Sequence, residues 1–171
     1  MSKVTKKENK TMYQICREAL GWSREKASEK LNISPERIER IENEKFEIHP
    51  EEVILMAECY KNPNLCNYYC SNKCPIGKKY VPEVKSKDLS QIVLEMLASL
   101  NSMNKKKDRL IEITYDGVIS DDQIEDFITI QQNLENLSVT VEALQLWSEQ
   151  MIINGNINKQ AYEETKKRLI K

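Results

Sequence analysis

The sequence is poor in residues that interrupt regular secondary structure, with four glycines and five prolines among 171 residues. Phenylalanine and tryptophan occur twice each and histidine once. This scarcity of glycine and proline favours long helices over a loop-rich β fold. With so few large aromatic residues, the core must be built mainly from Leu, Ile, Met and Tyr. No segment approaches the roughly 18 apolar residues that a membrane span requires.

The charges almost cancel, since 26 Lys and Arg face 27 Asp and Glu. A net charge of -1 excludes a general attraction to nucleic acid, so any such attraction must come from a local patch. The N-terminus is basic but is followed by no apolar run, so we expect no secretory signal. We therefore expect a cytoplasmic protein, in which clustered cysteines indicate a metal or redox site before structural disulfides.

Changes in composition divide the chain into four predicted parts. Residues 1–10 form a flexible basic tail, and residues 11–62 form a string of short helices. Residues 59–85 form a Cys-rich connector, and residues 86–171 form a helical dimerisation or regulatory region. The prediction is an all-α fold with an N-terminal five-helix domain and a long C-terminal antiparallel helical hairpin.

Cap residues predict where the first helices begin and end. Ser23 and Ser34 are suited to N-cap positions, and Pro35 follows Ser34 at the first helical position. Asn32 tolerates the left-handed conformation of a tight turn. Helical spacing of apolar residues then predicts these inward faces: Met12, Ile15, Cys16 and Ala19; Ile38 and Ile41; Val53, Met56, Ala57 and Tyr60.

The second half carries longer apolar repeats. Three-four spacing predicts one inward stripe of Val93, Met96, Leu100, Met103 and Leu110, and another of Phe127, Ile130, Leu134, Leu137, Val141, Leu144 and Met151. The second stripe is typical of a coiled-coil seam. Further apolar residues lie off both stripes, namely Leu94, Leu97, Leu146 and Trp147. This surplus favours a homodimer formed through residues 86–154 over a hairpin that packs only on itself.

The segment WSREKASEKLNISPERIERIENEKF, from Trp22 to Phe46, resembles the helix-turn-helix of the XRE (phage Cro/repressor-like) family of bacterial regulators. In that family a polar residue opens the second helix and a small residue follows four positions later. Leu-Gly-Val-Ser, a recognition helix and Arg-Ile-Glu-Asn-Gly come next. The matching positions here are Arg24, Ser28, Leu31-Asn32-Ile33-Ser34 and Arg40-Ile41-Glu42-Asn43-Glu44. The resemblance covers residues 11–62 only.

The resemblance implies contacts with double-stranded DNA in the major groove. The implied DNA-binding residues are Arg24, Pro35, Glu36, Arg37, Arg40, Asn43 and Lys45. Arg37 and Arg40 can each pair bidentately with guanine, whereas Arg24 would contact a phosphate. Four glutamates make this surface acidic, namely Glu36, Glu39, Glu42 and Glu44. Non-specific affinity should therefore be modest and sensitive to salt.

The predicted function is sequence-specific transcriptional regulation by a homodimer on a palindromic site, in the bacterial cytoplasm and associated with the nucleoid. The alternative is a protein-interaction module, antitoxin-like or adaptor, that uses the same fold without sequence-specific DNA binding. No enzyme is predicted. His49 precedes Pro50 without catalytic neighbours, and the sequence contains no Gly-rich phosphate loop.

Four of the five cysteines lie within sixteen residues, at Cys59, Cys66, Cys70 and Cys74, while Cys16 falls on a predicted core face. Four thiolates can bind zinc or an iron–sulfur cluster. However, these cysteines are separated by six, three and three residues. This spacing lacks the pair of cysteines with two intervening residues that is usual in zinc sites. Disulfides or a redox pair, and inert packed thiols, are the alternatives. Any metal or redox change at this position could modulate DNA binding by a dimer.

Overall fold

The structure is a computed structural model that describes residues 10–115 and 117–170. These residues form nine α-helices and a short 3₁₀ turn, with no β-strand among them. The chain divides into two compact units, Met1–Glu83 and Val84–Lys171. The predicted all-α class is therefore confirmed. None of the described helices combines the length and the apolar character needed to span a membrane.

The N-terminal unit contains the first six helices. They are α1 (Met12–Ala19), α2 (Arg24–Leu31), α3 (Pro35–Glu42), α4 (Pro50–Cys59), α5 (Asn64–Asn72) and α6 (Gly77–Tyr80). Only four of them lie within residues 11–62, so the fifth helix of the predicted five-helix domain is α5. Leu65 of α5 is fully buried in the core of this unit. The Cys-rich segment is thus part of the N-terminal unit and not a separate connector.

Side-chain caps fix the starts of the first three helices. The hydroxyls of Thr11, Ser23 and Ser34 accept hydrogen bonds from backbone N–H groups in the first turns of α1, α2 and α3. Asn32 ends α2 in the left-handed conformation, with φ of 54°. The predicted caps at Ser23 and Ser34 and the predicted turn at Asn32 are therefore confirmed. Each of them satisfies backbone groups that lack a hydrogen-bond partner at a helix end.

The core of the N-terminal unit follows most of the predicted helical faces. Its buried apolar residues are Tyr13, Cys16, Ala27, Leu31, Ile38, Ile41, Ile48, Val53, Met56, Ala57, Tyr60 and Leu65. The inward face of α1 was predicted incorrectly at Ile15, which is 46% exposed. Tyr13 occupies the core instead, where its ring packs edge-on against Tyr68 of α5 at 5.8 Å between centroids. The larger aromatic ring sets the rotation of α1.

A buried ionic network joins the first three helices. The Glu42 carboxylate, at the end of α3, is 1% exposed. It accepts from Arg17 Nε at 2.5 Å and Arg17 Nη2 at 3.0 Å, and from Arg24 Nε at 2.9 Å. Arg17 also donates to the Trp22 carbonyl in the turn after α1. The Thr11 hydroxyl donates to the Glu42 carbonyl at 3.2 Å. Glu42 therefore connects α1, α2 and α3.

Glycine is required at position 77, where α6 lies directly on α5. A Cβ atom at Gly77 would stand 2.0 Å from the Cys70 carbonyl oxygen. Real Cβ atoms do not approach backbone so closely, so a larger residue would separate the two helices. The Cys74 thiol lies in the same turn, and its sulfur accepts from the Gly77 N–H at 3.4 Å.

The C-terminal unit is dominated by two long antiparallel helices, α7 (Leu89–Thr114) and α8 (Ile124–Ile153). The 3₁₀ turn Asp121–Gln123 precedes α8, and α9 (Lys159–Leu169) follows it. Polar pairs fix the register, since Ser102 bonds Asn133 at 3.1 Å and Asp126 bonds Arg109 at 2.7 Å. The predicted antiparallel hairpin is therefore present.

The seam between α7 and α8 is rotated from the predicted stripes. Four residues predicted to face inward are 41–47% exposed, namely Val93, Leu100, Leu134 and Val141. Ile130 is buried as predicted, and the other buried residues of the two helices are Ile92, Ile113, Thr140, Ala143 and Leu146. Small and polar side chains such as Ser102 and Asn133 occupy part of the seam. The apolar repeats predict an inner seam, whereas these four of their twelve residues lie on the exposed surface of the hairpin.

Replacing Glu42 with Ala should destabilise the N-terminal unit by about 3–5 kcal/mol, because it leaves the Arg17 guanidinium buried without its carboxylate. Glu39→Ala on the exposed side of α3 serves as the control, with an expected change within about 0.5 kcal/mol. The double substitution Arg17→Met with Glu42→Leu should recover much of the loss. Urea unfolding followed by Trp22 fluorescence measures all three. Equal stability of Glu42→Ala and the wild type would contradict this account.

Candidate nucleic-acid interface

The outer face of α3 is the predicted recognition surface. Glu36, Glu39 and Arg40 are exposed on it, and Pro35 is half-buried at its first turn. The Ser34 hydroxyl accepts from the Arg37 N–H at 3.2 Å and so completes the N-terminal turn of the helix. This arrangement leaves the first two turns of α3 accessible to a partner, with a rigid buried side formed by Ile38 and Ile41.

Arg40 is the cation that α3 presents outward. Its guanidinium carbon lies 5.1 Å from the centre of the Phe46 ring, in the loop after the helix. This cation–π contact holds the side chain in place without neutralising its charge. Lys45 is exposed in the same loop, while Asn43 caps the end of α3 and donates from its side chain to the Glu39 carbonyl at 2.8 Å. Phe46 was not among the residues predicted to be functional, although an aromatic residue so close to a recognition helix could have indicated a role there.

Arg24 was predicted to contact a phosphate, but its side chain does not extend outward. Its Nε atom donates to the buried Glu42 carboxylate at 2.9 Å, and its side chain is 33% exposed. The guanidinium is thus partly committed to the ionic network between α2 and α3. A phosphate contact from Arg24 would use only its remaining donors.

Arg37 was predicted to face outward as a guanine reader, and the structure corrects this. Its Nε and Nη2 atoms donate to the two Glu52 carboxylate oxygens at 2.8 and 2.6 Å. Nη2 also donates to the Glu47 carbonyl at 2.8 Å. Such bidentate pairing uses the same donors that guanine would need. Arg37 therefore joins α3 to α4 and positions the loop between them.

The Arg37–Glu52 pair is reinforced by the start of α4. The Glu52 carboxylate also accepts from the His49 backbone N–H at 2.9 Å, as in a capping box. Its hydrogen bonds with Arg37, opposed by burial, hold the pKa of Glu52 below its usual value of 4.5. The same hydrogen bonds raise the pKa of Arg37. Glu52 occupies the third helical position of α4, which is the acidic position of a capping box, so the sequence alone could have indicated this role.

The surface is less acidic than the sequence predicted. Glu42 is buried and neutralised by arginine, so it contributes nothing to the field outside α3. Glu44 pairs with Lys73 at 2.8 Å. Glu36 and Glu39 remain as exposed carboxylates beside Arg40. Of the predicted basic tail at residues 1–10, residues 1–9 lie outside the described residues, and Lys10 pairs with Glu18.

The four clustered cysteines are not arranged as a metal site. Within residues 10–115 and 117–170, no group of three or more His, Cys, Asp or Glu side chains is placed to hold a metal ion. Cys59 ends α4. Burial raises the pKa of its thiol, and the charge of Lys30 on α2 only partly opposes this rise. Cys66 and Cys70 lie on α5, and Cys74 lies in the next turn. The geometry does not fit a four-thiolate centre, and the metal or redox role stays a prediction.

Comparison with known families bears on the first unit alone. Residues 14–63 match a family model described as helix-turn-helix. This region is an XRE-type helix-turn-helix domain. The match covers most of α1 and all of α2 to α4, and it includes all seven predicted DNA-binding residues. Comparisons with curated proteins and with solved structures gave no match. The domain supports a DNA-binding regulator of the XRE type in general terms.

Removing the Glu52 charge should flatten the acid limb of the stability profile. The pKa of Glu52 is lowered in the folded state, so its stabilisation is complete above the ordinary value of 4.5 and is lost as the pH falls through the folded-state pKa. The stability advantage of the wild type over Glu52→Gln should therefore shrink as the pH falls below about 4.5. Chemical unfolding at each pH measures it. Glu58→Gln, exposed on the same helix, should leave the profile unchanged; a constant difference for Glu52→Gln would contradict the pairing.

Proposed function

We propose that the chain is a non-enzymatic transcriptional regulator that reads a palindromic DNA site as a homodimer. The observation that carries the proposal is Arg40, an exposed arginine on the recognition helix of a helix-turn-helix domain. Arginine pairs with guanine through two parallel hydrogen bonds in the major groove. Its contact with Phe46 leaves the guanidinium charge unpaired by any carboxylate of the described residues.

The remaining contacts position the domain on the DNA backbone. Lys45 follows α3 at the point where helix-turn-helix domains approach phosphate, and its ammonium is exposed. Asn43 lies beside it at the helix end. Because Arg37 and Arg24 are engaged in ion pairs, we assign them to positioning α3 and not to base readout. Base readout by this domain then rests on Arg40, with Glu36 and Glu39 available to accept from cytosine.

The homodimer is supported by the outer surface of α7. Leu94 is 68% exposed, Leu97 51% and Ile111 56%. Val93 and Leu100 are also more than 40% exposed, so Val93, Leu94, Leu97 and Leu100 form an apolar stripe along the first half of α7. Monomeric proteins rarely leave such a stripe in water, and a second copy would cover it symmetrically. Two recognition helices would then read two half-sites about one or more turns apart.

The cysteines enter the same proposal as a point of modulation. Cys66 of α5 packs against the core of the DNA-binding unit, which includes the buried Tyr13 of α1. Oxidation there would disturb the packing of α5 on α1. Comparing the DNA affinity of reduced and oxidised protein tests this; equal affinity removes the redox role.

Selection from random DNA should enrich a palindromic sequence with a guanine in each half-site. Arg40→Ala should weaken binding to it by about 1–3 kcal/mol, roughly 5- to 150-fold, and relax the preference at one base. Lys45→Gln should weaken binding to all sequences and reduce the salt slope by about 1. Lys105→Gln on α7 is the matched control, with no expected effect. Electrophoretic or anisotropy titrations at several salt concentrations measure these changes.

One outcome separates this function from the alternative, and a second tests the assignment of Arg37. If selection enriches no sequence and Arg40→Ala binds DNA as the wild type does, the helix-turn-helix is a protein-interaction module. If Arg37→Ala changes base preference without loss of stability, the assignment of Arg37 to positioning is wrong.

The double substitution Leu94→Glu with Leu97→Glu should convert the dimer to a monomer, because it places charges on the apolar stripe of α7. Leu169→Glu with Ile170→Glu is the control, since both residues are 73% exposed and lie outside residues 86–154. Light scattering coupled to gel filtration measures the mass, and circular dichroism checks the helical content. A wild-type chain that is monomeric at micromolar concentration contradicts the dimer.

A further inference from the structure

A cleft of about 320 Å³ lies within the N-terminal unit, beside the end of the recognition helix. One wall is the loop that follows α3, and the other is α5 with the turn into α6. Ile41, Phe46 and Ile48 supply apolar surface, and Pro75 closes one side. The volume falls at the lower end of the range for small-molecule sites.

One of the lining residues, Tyr13, carries a buried hydroxyl that lacks a partner among the described residues. Tyr13 lines the cleft and is 2% exposed, and its hydroxyl makes no hydrogen bond with the described residues. Burial raises the pKa of the Tyr13 phenol, so the hydroxyl stays protonated and can donate. The negative charge of Glu44, which also lines the cleft, raises the pKa of Tyr13 further. A buried donor without a partner is unfavourable, and a ligand in the cleft would satisfy it.

Charge in the cleft is balanced, with two lysines and two glutamates. Lys73 and Glu44 pair at 2.8 Å, and this hydrogen bond raises the pKa of Lys73. Lys78 and Glu47 also line the cleft, and neither side chain forms an ion pair with a described residue. One positive and one negative group therefore remain, separated by more than ion-pair distance.

We propose that this cleft binds a small zwitterion with an apolar side chain, that is, an α-amino acid of the aromatic or large aliphatic class. Its carboxylate pairs with Lys78 and its ammonium group with Glu47. Its side chain lies against Ile41 and Phe46. The Tyr13 hydroxyl donates to the ligand carboxylate. A ligand with a single charge would leave either Lys78 or Glu47 without a partner.

Occupancy of the cleft bears on the predicted DNA contacts through the loop after α3. The Phe46 ring that lines the cleft also lies beneath the Arg40 guanidinium. The Glu47 carbonyl accepts from Arg37 at 2.8 Å. A bound amino acid would thus fix the loop that holds both arginines. This regulatory consequence rests on the proposed DNA binding, whereas binding of the amino acid does not.

The test is a titration of the full chain without DNA, followed by two-dimensional NMR of its backbone amides. The probes are L-phenylalanine, 3-phenylpropionate, which lacks the ammonium group, and 2-phenylethylamine, which lacks the carboxylate. L-Phenylalanine should shift the amide signals of residues 43–48 and of Tyr69. Each analogue should bind about 10-fold more weakly, because it loses one charged hydrogen bond.

Substitutions assign the two charges. Lys78→Gln and Glu47→Gln should each weaken L-phenylalanine binding by about 10-fold, and Tyr13→Phe should weaken it to a smaller extent. Lys79→Gln, at the next exposed residue, should bind as the wild type does. The proposal is overturned if millimolar L-phenylalanine shifts none of these signals in the wild type. It is also overturned if an analogue binds equally well, or if Lys78→Gln and Glu47→Gln behave as Lys79→Gln does. Because DNA is absent, failure here leaves the DNA-binding proposal standing.

Discussion

The buried carboxylate of Glu42 is the constraint on which the reading surface depends. It accepts hydrogen bonds from the guanidinium groups of Arg17 and Arg24, so a single carboxylate joins three short helices. Helices of eight residues are marginal alone in water and rely on tertiary contacts. A charge triad of this kind fixes the relative orientation of the helices more than it increases net stability. The cost of removing the charges from water offsets much of their attraction. It sets the angle at which α3 is presented.

Ion pairing also decides which cations the domain can offer to a partner. Arg24 and Arg37 are held by Glu42 and Glu52, whereas Arg40 is held by an aromatic ring. A carboxylate neutralises the guanidinium that it positions, but a ring leaves its charge in place. The same loop separates the recognition helix from the cleft that contains Tyr13. The N-terminal unit therefore combines the proposed DNA-reading groups with a candidate effector site in about eighty residues.

Local signals in the sequence predicted the local structure well. The caps at Ser23 and Ser34, the turn at Asn32 and the inward faces of α3 and α4 all follow from residue type and spacing. Pairings between distant residues left no such trace: Arg37 and Glu52 are 15 positions apart, and Arg17 and Glu42 are 25. The seam of the hairpin was misplaced for a related reason. An apolar repeat identifies a buried face but does not say whether the same chain or a second copy buries it.

The stacking of Arg40 on Phe46 has a consequence for binding thermodynamics. A long, unrestrained arginine loses much of its rotational freedom when it docks on a base, and this entropy loss weakens association. Here the side chain is already confined over the ring, 5.1 Å from its centre. Arg40 is thus preorganised, and less conformational entropy remains to be lost on contact. Under the proposed function, an acidic helix with one exposed arginine gains in this way a discrimination between bases that its overall charge would not provide.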